Sequence, residues 1–194
     1  MPRRNRSDTG RTETIRREIV NIIEDLLPED GKVDAFGELR LIRSSRPHEP
    51  AQAVYQPAFC FVAQGSKRAS VGSEVFIYHP SNYLIFTVDL PVVFEIVKAS
   101  RDLPYLGVRL NLNPSLVASA IAEGGLNVHK RHAGIKAMDV GPISFDLIDA
   151  IARLVRLVAQ PEEGKVLAPL VMKEIIYRLL IGGQGARLAH MTTS

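Results

Sequence analysis

The sequence predicts an α+β fold in which one block of antiparallel strands follows a helix and precedes further helices. Two observations support this class. Apolar residues in the first thirty positions recur at helical spacing, and the same spacing returns after Asn113. Between about residues 31 and 113 they instead alternate with polar residues, and turn residues such as Gly72-Ser73 separate the runs. Several short strands with turns between them favour an antiparallel sandwich or barrel.

The composition is that of a globular protein with one core. The chain has 194 residues, of which 46% are hydrophobic and 23% charged, and it is long enough for one substantial domain. A single cysteine excludes an internal disulfide framework and favours a reducing compartment. No apolar run reaches the roughly 18–20 residues that a membrane helix needs. We therefore expect a cytoplasmic protein with no membrane partner.

Positive charge is concentrated at the N-terminus. The net charge is +3, and six arginines fall within the first seventeen positions: Arg3, Arg4, Arg6, Arg11, Arg16 and Arg17. Such a segment can contact phosphates, but it is more often a solvated extension. We interpret residues 1–30 as a basic arm with a helix.

Each predicted helix has its own pattern and its own ends. The first carries apolar residues at Ile15, Ile19, Ile22, Ile23, Leu26 and Leu27 and ends at Pro28. Asn113 and Pro114 are a good N-cap and first residue for the helix "PSLVASAIAEGG". Gly141-Pro142 precedes the helical run "ISFDLIDAIARLVRLVAQ", which Pro161 closes. The last long helix begins at Leu167-Ala168-Pro169 and stops at Gly182-Gly183.

The sequence offers little for catalysis. Five histidines are scattered, and only His129 and His132 are close enough in sequence to share a metal. Lys130 and Arg131 lie between them and repel a divalent cation, and a third ligand would be needed. Nucleophile elbows and phosphate-binding loops are also missing. We therefore predict no metal site, no cofactor and no enzymatic activity.

The strand block has a more specific character when it is taken as a whole. The segment "VYQPAFCFVAQGSKRASVGSEVFIYHPSNYLIFTVDLPVVFEIVKASRDLPYLGVRLNLNP" resembles the N-terminal domain of AraC/XylS-type bacterial transcription regulators. The pieces that carry the resemblance are Tyr55 and Pro57, the turn Gln64-Gly65-x-Lys67, the Tyr78 to Tyr83 turn, Val88-Asp89-Leu90-Pro91, Ala99-Ser100 and Pro104-Tyr105-Leu106. The resemblance extends from about Gly31 to Leu188. His79 departs from it, because the family usually has a smaller or acidic residue there.

The resemblance implies a cupin-like barrel that senses a small-molecule effector, followed by helices that pair two subunits as a homodimer. It assigns residues 31–113 to the barrel and 114–185 to a helical dimerisation region. Residues 186–194 would begin a linker to two helix-turn-helix motifs that read operator DNA and that this sequence lacks. A cupin-fold enzyme with an unusual metal site and a purely structural dimerisation module remain alternatives.

If the barrel holds a ligand, polar residues that alternate with apolar ones on its strands are the candidates to contact it. They are Arg43, Tyr78, Tyr83, Tyr105 and Arg109. Each has an alternative, since Arg109 can face solvent opposite Val108 and Leu110, and tyrosines can fill a barrel with their hydroxyls at its rim. We interpret Gln64, Gly65 and Lys67 as turn residues.

The helix from about Ile143 to Val158 is the predicted dimer interface. Its apolar stripe contains Ile143, Leu147, Ile151, Leu154, Val155 and Val158. The stripe is wider than packing on one partner requires, and soluble proteins seldom expose such a surface. The alternative is that the final helix covers the surplus.

Overall fold

A computed structural model of the chain describes residues 6–127 and 137–192, with side chains from residue 8 onward. The first helix, α1, spans Arg6–Leu26. Nine strands follow it: β1 (Gly31–Ala35), β2 (Leu39–Ser44), β3 (Ala51–Tyr55), β4 (Ala58–Gln64), β5 (Ser66–Val71), β6 (Glu74–Tyr78), β7 (Asn82–Phe86), β8 (Leu90–Lys98) and β9 (Tyr105–Asn111). The remaining elements are α2 (Pro114–Glu123), β10 (Met138–Pro142), α3 (Phe145–Val158), α4 (Pro161–Leu179), a wider turn (Leu180–Gln184) and α5 (Gly185–His190).

The strands form two antiparallel sheets. The larger sheet has six strands in the order β1-β2-β9-β4-β7-β10, and the smaller has four in the order β3-β8-β5-β6. The two sheets share a buried cluster that includes Val62, Leu84 and Phe94. Together they make the cupin-like barrel, so the predicted fold class is confirmed.

The larger sheet is buried on both of its faces. Alternate residues of β4 show this, since Phe59 and Phe61 pack in the cluster with the helices while Cys60 and Val62 pack in the cluster between the sheets. Side chains that alternate along a strand point to opposite faces. The central strands of this sheet therefore read as continuous apolar runs.

Two helices, α2 and α3, begin at residues that the capping rules favour. The side chain of Asn113 accepts a hydrogen bond from the Ser115 amide at 2.9 Å, with Pro114 as the first residue of α2. Ser144 caps α3 in the same manner by accepting from the Leu147 amide. The Asn113 cap was predicted, and it marks the change from strands to helices.

The structure differs from the predicted boundaries in three places. Gly141-Pro142 ends β10, which pairs with β7, instead of opening α3. Pro161 is the first residue of α4, so this helix starts six residues before Leu167. The chain bends at Gly183, whose φ of 103° suits glycine. It then forms α5, whose Leu188 is buried against the body, so residues 186–190 are part of the folded domain.

The apolar stripe of α3 is covered within the same chain, which corrects the predicted dimer interface. Of its six residues, Val158 is partly buried and the others are buried: Ile143, Leu147, Ile151, Leu154 and Val155. Both α1 and α4 pack against this helix. The Arg156–Glu18 ion pair fixes it to α1, with Nη2 of the arginine 2.9 Å from Oε2 of the glutamate. The stripe belongs to the core, as the alternative interpretation held.

Candidate ligand-binding cavity

A cavity of about 800 Å³ lies within the barrel. Residues of both sheets line it, among them Ile42 and Val108 on the larger sheet and Phe94 and Ile96 on the smaller one. The exposed loop residues Arg46–Glu49 border it. Cavities of 300–1,000 Å³ are the usual size of small-molecule sites.

Four of the five candidate residues line this cavity. They are Arg43 on β2, Tyr78 at the end of β6, and Tyr105 and Arg109 on β9. Tyr105 and Arg109 share a face because they are four residues apart on one strand. The alternating Leu106 and Leu110 pack against the helices instead.

Tyr83 lies on the other face of the larger sheet, so it does not join the other candidates. Its ring packs 5.2 Å from that of Phe59, centroid to centroid, in the cluster formed with the helices. Its hydroxyl is hydrogen-bonded to Gln184, and burial raises the pKa of Tyr83. The next residue, Leu84, packs between the sheets. Because β7 is buried on both faces, its sequence has no alternation that reveals which way Tyr83 points.

Lys67 also lines the cavity, although its sequence context suggested a turn. The turn ends earlier, at Gly65, which has a φ of +85°. Lys67 is the second residue of β5 and shares its face with Ala69 and Val71. This alternation places the lysine on the apolar side of the strand. The same alternation in the sequence could have identified Lys67 as a cavity residue.

The ammonium of Lys67 lies among aromatic rings. Nζ is 4.4 Å from the ring centroid of Phe94 and 5.8 Å from that of Tyr105. Burial lowers the pKa of Lys67, and the positive charge of Arg109 acts in the same direction. Cation–π contacts compensate part of the lost hydration. Within the described residues, Lys67 has no carboxylate in ion-pair contact.

Arg109 contacts two other rings of the same aromatic cluster. Its guanidinium carbon is 5.2 Å from the ring centroid of Tyr55 and 6.0 Å from that of Phe86. Nε donates to Asn111 Oδ1 at 3.1 Å, and Nη2 donates to the backbone oxygen of Gln56 at 3.2 Å. These partners are neutral, so they orient the guanidinium without cancelling its charge.

Tyr78 and Tyr105 form a buried pair of hydroxyls. Their side chains are hydrogen-bonded to each other, and burial raises the pKa of both far above the physiological range. The two phenols are therefore neutral. In such a pair one O–H donates to the other oxygen, which leaves the second O–H as a free donor.

The cavity wall carries more positive than negative charge. It contains six cationic side chains (Lys32, Arg40, Arg43, Arg46, Lys67 and Arg109) and two carboxylates (Asp30 and Glu49). Asp34, outside the cavity, neutralises Arg40 through two hydrogen bonds of 2.5 and 2.9 Å. Asp30 accepts from the amide and hydroxyl of Ser45.

Only some of the hydrogen-bond donors of Arg43 have acceptors. Its Nη1 donates to the backbone oxygen of Leu27 at 2.9 Å. Its Nε is buried and has no hydrogen-bond partner. A buried donor without an acceptor is costly.

Cys60 is part of the cavity wall beside Arg109. It lies opposite Arg109 in the pairing of β4 with β9, and it lines the cavity although it is only 7% exposed. Burial raises the pKa of this thiol, while Arg109 and Lys67 oppose the shift. The thiol is thus neutral near pH 7 and serves as a small apolar wall group.

A metal site is not apparent in the part of the chain that the structure describes, where no three histidine, cysteine or acidic residues converge. The histidine pair singled out in the sequence, His129 and His132, lies outside the described residues. In the same described part, none of the helices combines the length and apolar character that crossing a bilayer requires.

Comparisons with solved structures place the fold beside known transcription regulators. ToxT from Vibrio cholerae strain SCE256, solved with an unsaturated fatty acid, superposes with a TM-score of 0.54 at 8% identity, over 84% of this chain and 60% of ToxT. ToxT from Vibrio cholerae O395, bound to (E)-4-(8-methylnaphthalen-1-yl)but-3-enoic acid, gives 0.54 at 11% identity, over 81% and 60%. The AraC-like activator CuxR gives 0.44 at 12% identity, over 75% and 52%.

The match therefore spans about three fifths of the length of ToxT. No curated protein sequence matches this chain. A family model does match it. The model describes the N-terminus of AraC-type transcriptional regulators, and it covers residues 35–187, from the first strands to α5. This chain belongs to the family of AraC-type transcriptional regulator N-termini.

Proposed function

We propose that this chain is the part of an AraC-type transcription regulator that senses a small-molecule effector, and that the effector binds in the cavity of the barrel. The observation that carries the proposal is the cavity itself. It has about 800 Å³ of space, apolar walls and a few converging polar groups such as Lys67 and Tyr105. These are the usual features of a small-molecule site.

The solved relatives support a sensing role in general terms. Two ToxT structures that share this fold are described as bound to an unsaturated fatty acid and to a substituted butenoic acid. At 8% and 11% identity they indicate the fold and not the ligand of this chain. The chemistry of the effector must come from this chain's own side chains.

We propose that the domain acts by binding and not by catalysis. Tyr78 and Tyr105 are neutral, and the pKa of the Cys60 thiol is raised by burial. A thiol attacks as its thiolate, so a raised pKa makes Cys60 a poor nucleophile. The groups that face the cavity suit recognition of a ligand better than transformation of one.

The proposed homodimer would use α4 in place of α3. Four apolar residues lie exposed along one side of α4 and the turn that follows it: Val166, Leu170, Tyr177 and Ile181, which are 68%, 60%, 39% and 56% exposed. Their spacing places them on one helical face. In a closed dimer the same surface of each subunit faces its copy across a two-fold axis. The apolar stripe of α4 could pair with its copy in this way.

DNA binding would belong to another region of the regulator. The family model describes an N-terminal part, and the operator would be read by helix-turn-helix motifs that are not among residues 1–194. Since a regulator of this kind acts on DNA, we place it in the cytoplasm. Effector binding in the barrel would then act through the helical region.

The proposal is tested by filling the cavity. Ile96 lines it, whereas the next residue, Val97, is 36% exposed on the outer side of β8. Wild-type protein is screened by thermal shift against sugars, organic acids and aromatic alcohols. A ligand at one hundred times its Kd should stabilise the fold by about 2.7 kcal/mol. Ile96→Trp should abolish the rise in Tm, and the control Val97→Trp should keep it.

Two results would contradict the proposal. One is a complete panel that leaves the wild-type Tm unchanged, which would favour a purely structural module. The other is a stabilising ligand whose effect survives Ile96→Trp, because that ligand would bind elsewhere.

A further inference from the structure

The inner end of the cavity holds two cations that lack a counterion. Lys67 Nζ and the Arg109 guanidinium contact rings of one aromatic cluster, in which Tyr55 and Phe94 pack edge to face at 4.7 Å. The positive charge of Arg109 is one reason that the pKa of Lys67 is lowered, so the two groups repel each other. Within the described residues, neither makes an ion pair.

Two arginines close to Lys67 and Arg109 in the sheets are paired. Arg68, the neighbour of Lys67 on the outer face of β5, is 2.8 Å from Glu95. Arg40, opposite Arg109 in the pairing of β2 with β9, is neutralised by Asp34. Buried charges in proteins are normally paired. Lys67 is enclosed by aromatic rings without such a partner and shares the cavity with Arg109, so the two together indicate a binding site for negative charge.

A further donor lies in the same cavity. The hydroxyl pair of Tyr78 and Tyr105 retains one free O–H donor. A carboxylate has about four acceptor positions and no donors, so it matches a wall rich in donors. A sugar or an alcohol would bring hydroxyl donors to a wall that has few acceptors.

Apolar side chains lie beside these donors. Ile42, Phe94 and Ile96 line the cavity together with the ring of Tyr55. The charged residues Arg46 and Glu49 lie on the exposed loop at its border. The matching molecule has one charged end and an apolar body.

We propose that the effector is an organic acid whose carboxylate lies between Lys67 and Arg109 and whose apolar body packs against Tyr55, Phe94 and Ile96. This inference rests on the proposed sensing function and specifies its ligand class. Charge-assisted hydrogen bonds are stronger than neutral ones, so the carboxylate supplies much of the affinity. Occupation by an anion also relieves the repulsion between the two cations.

The test compares acids with their uncharged amides. The pairs are benzoate and benzamide, hydrocinnamate and hydrocinnamamide, and decanoate and decanamide. Binding is measured by calorimetry. Protection of Cys60, the chain's sole cysteine and a cavity wall residue, is measured with excess methyl methanethiosulfonate, after slow labelling of the empty protein has been established. At least one acid should bind and protect Cys60, and its amide should bind at least about tenfold more weakly.

Substitutions of lysine test whether the charge of Lys67 binds the carboxylate. Lys67→Met should weaken binding of the acid by about tenfold to a hundredfold and leave the amide unchanged. Lys98→Met is the matched control, because Lys98 is an exposed lysine at the end of β8, and it should bind the acid as wild type does. If Lys67→Met does not fold, Lys67→Gln replaces it, and the comparison of acid with amide in wild type stands independently.

Each contrary outcome has a distinct meaning. Equal affinity for acid and amide, full acid affinity in Lys67→Met, or acid binding that survives Ile96→Trp would overturn the carboxylate site. Protection of Cys60 by sugars or amides but by no acid would also overturn it, while the proposed sensing function would stand. If no compound of any class protects Cys60 or raises the Tm, both proposals fail.

Discussion

The ammonium of Lys67 lies among aromatic rings and faces Arg109, Cys60 and the neutral hydroxyls of Tyr78 and Tyr105. Burial lowers its pKa below the usual 10.5. A lowered lysine pKa means that the folded state holds the proton less tightly than the unfolded chain does. At any pH below the pKa of Lys67 in the folded state, the protein without ligand therefore carries an unfavourable positive charge.

Replacing this residue should stabilise the empty protein. We expect Lys67→Met to raise the Tm by about 2–4 °C near neutral pH, which corresponds to roughly 1 kcal/mol in a chain of this size. The difference should be greatest below the pKa of Lys67 in the folded state and should close as pH rises above 10.5, where the wild-type lysine becomes neutral in both states. Calorimetric melting across this pH range measures it. A destabilised variant would indicate that Lys67 contributes to packing and not to a site held open for a ligand.

Among the elements, α3 and α4 differ in what covers their apolar sides. Leu154 on α3 is 1% exposed, between helices of its own chain, whereas Leu170 on α4 is 60% exposed. The same substitution at the two positions therefore separates a core helix from an interface helix.

Leu154→Glu should unfold the chain, because an unpaired charge in the core costs about 4 kcal/mol or more. Leu170→Glu should leave the fold intact and convert a dimer to a monomer. Circular dichroism reports the fold, and sedimentation velocity at micromolar concentrations reports the assembly. A wild-type chain that sediments as a monomer, or a Leu170→Glu variant that remains dimeric, would rule out the α4 interface.

For the molecule as a whole, charge predicts how residues 1–194 behave towards DNA. The net charge is +3, and three arginines fall within the first six positions. With only a few phosphate contacts, binding should be weak, independent of sequence, and about tenfold to a hundredfold weaker at ~200 mM than at ~50 mM salt. Replacing the first three arginines by glutamine should weaken it further. Binding is measured by fluorescence anisotropy. Sequence-selective binding that resists salt would contradict the proposal that another region of the regulator reads the operator.

The outcome at particular residues shows what the sequence pattern can predict. Alternation placed Tyr105 and Arg109 on one face of β9, because the strand's other face is a clear apolar row. It was uninformative at Tyr83, whose strand is buried on both faces. Periodicity also identified the stripe of α3 correctly, but a stripe does not reveal whether its cover is another helix or another subunit. That depends on contacts between residues distant in sequence, such as Glu18 with Arg156.

The aromatic lining of the cavity has a spectroscopic consequence. The chain has five tyrosines and no tryptophan, and Tyr55, Tyr78 and Tyr105 line the cavity. Its ultraviolet emission therefore comes largely from fluorophores that a ligand would touch, so occupancy can be followed without a label. The Ile96→Trp variant adds the chain's sole indole at the same place. Excited at wavelengths that tyrosine does not absorb, that indole reports the polarity and the water content of the barrel from within.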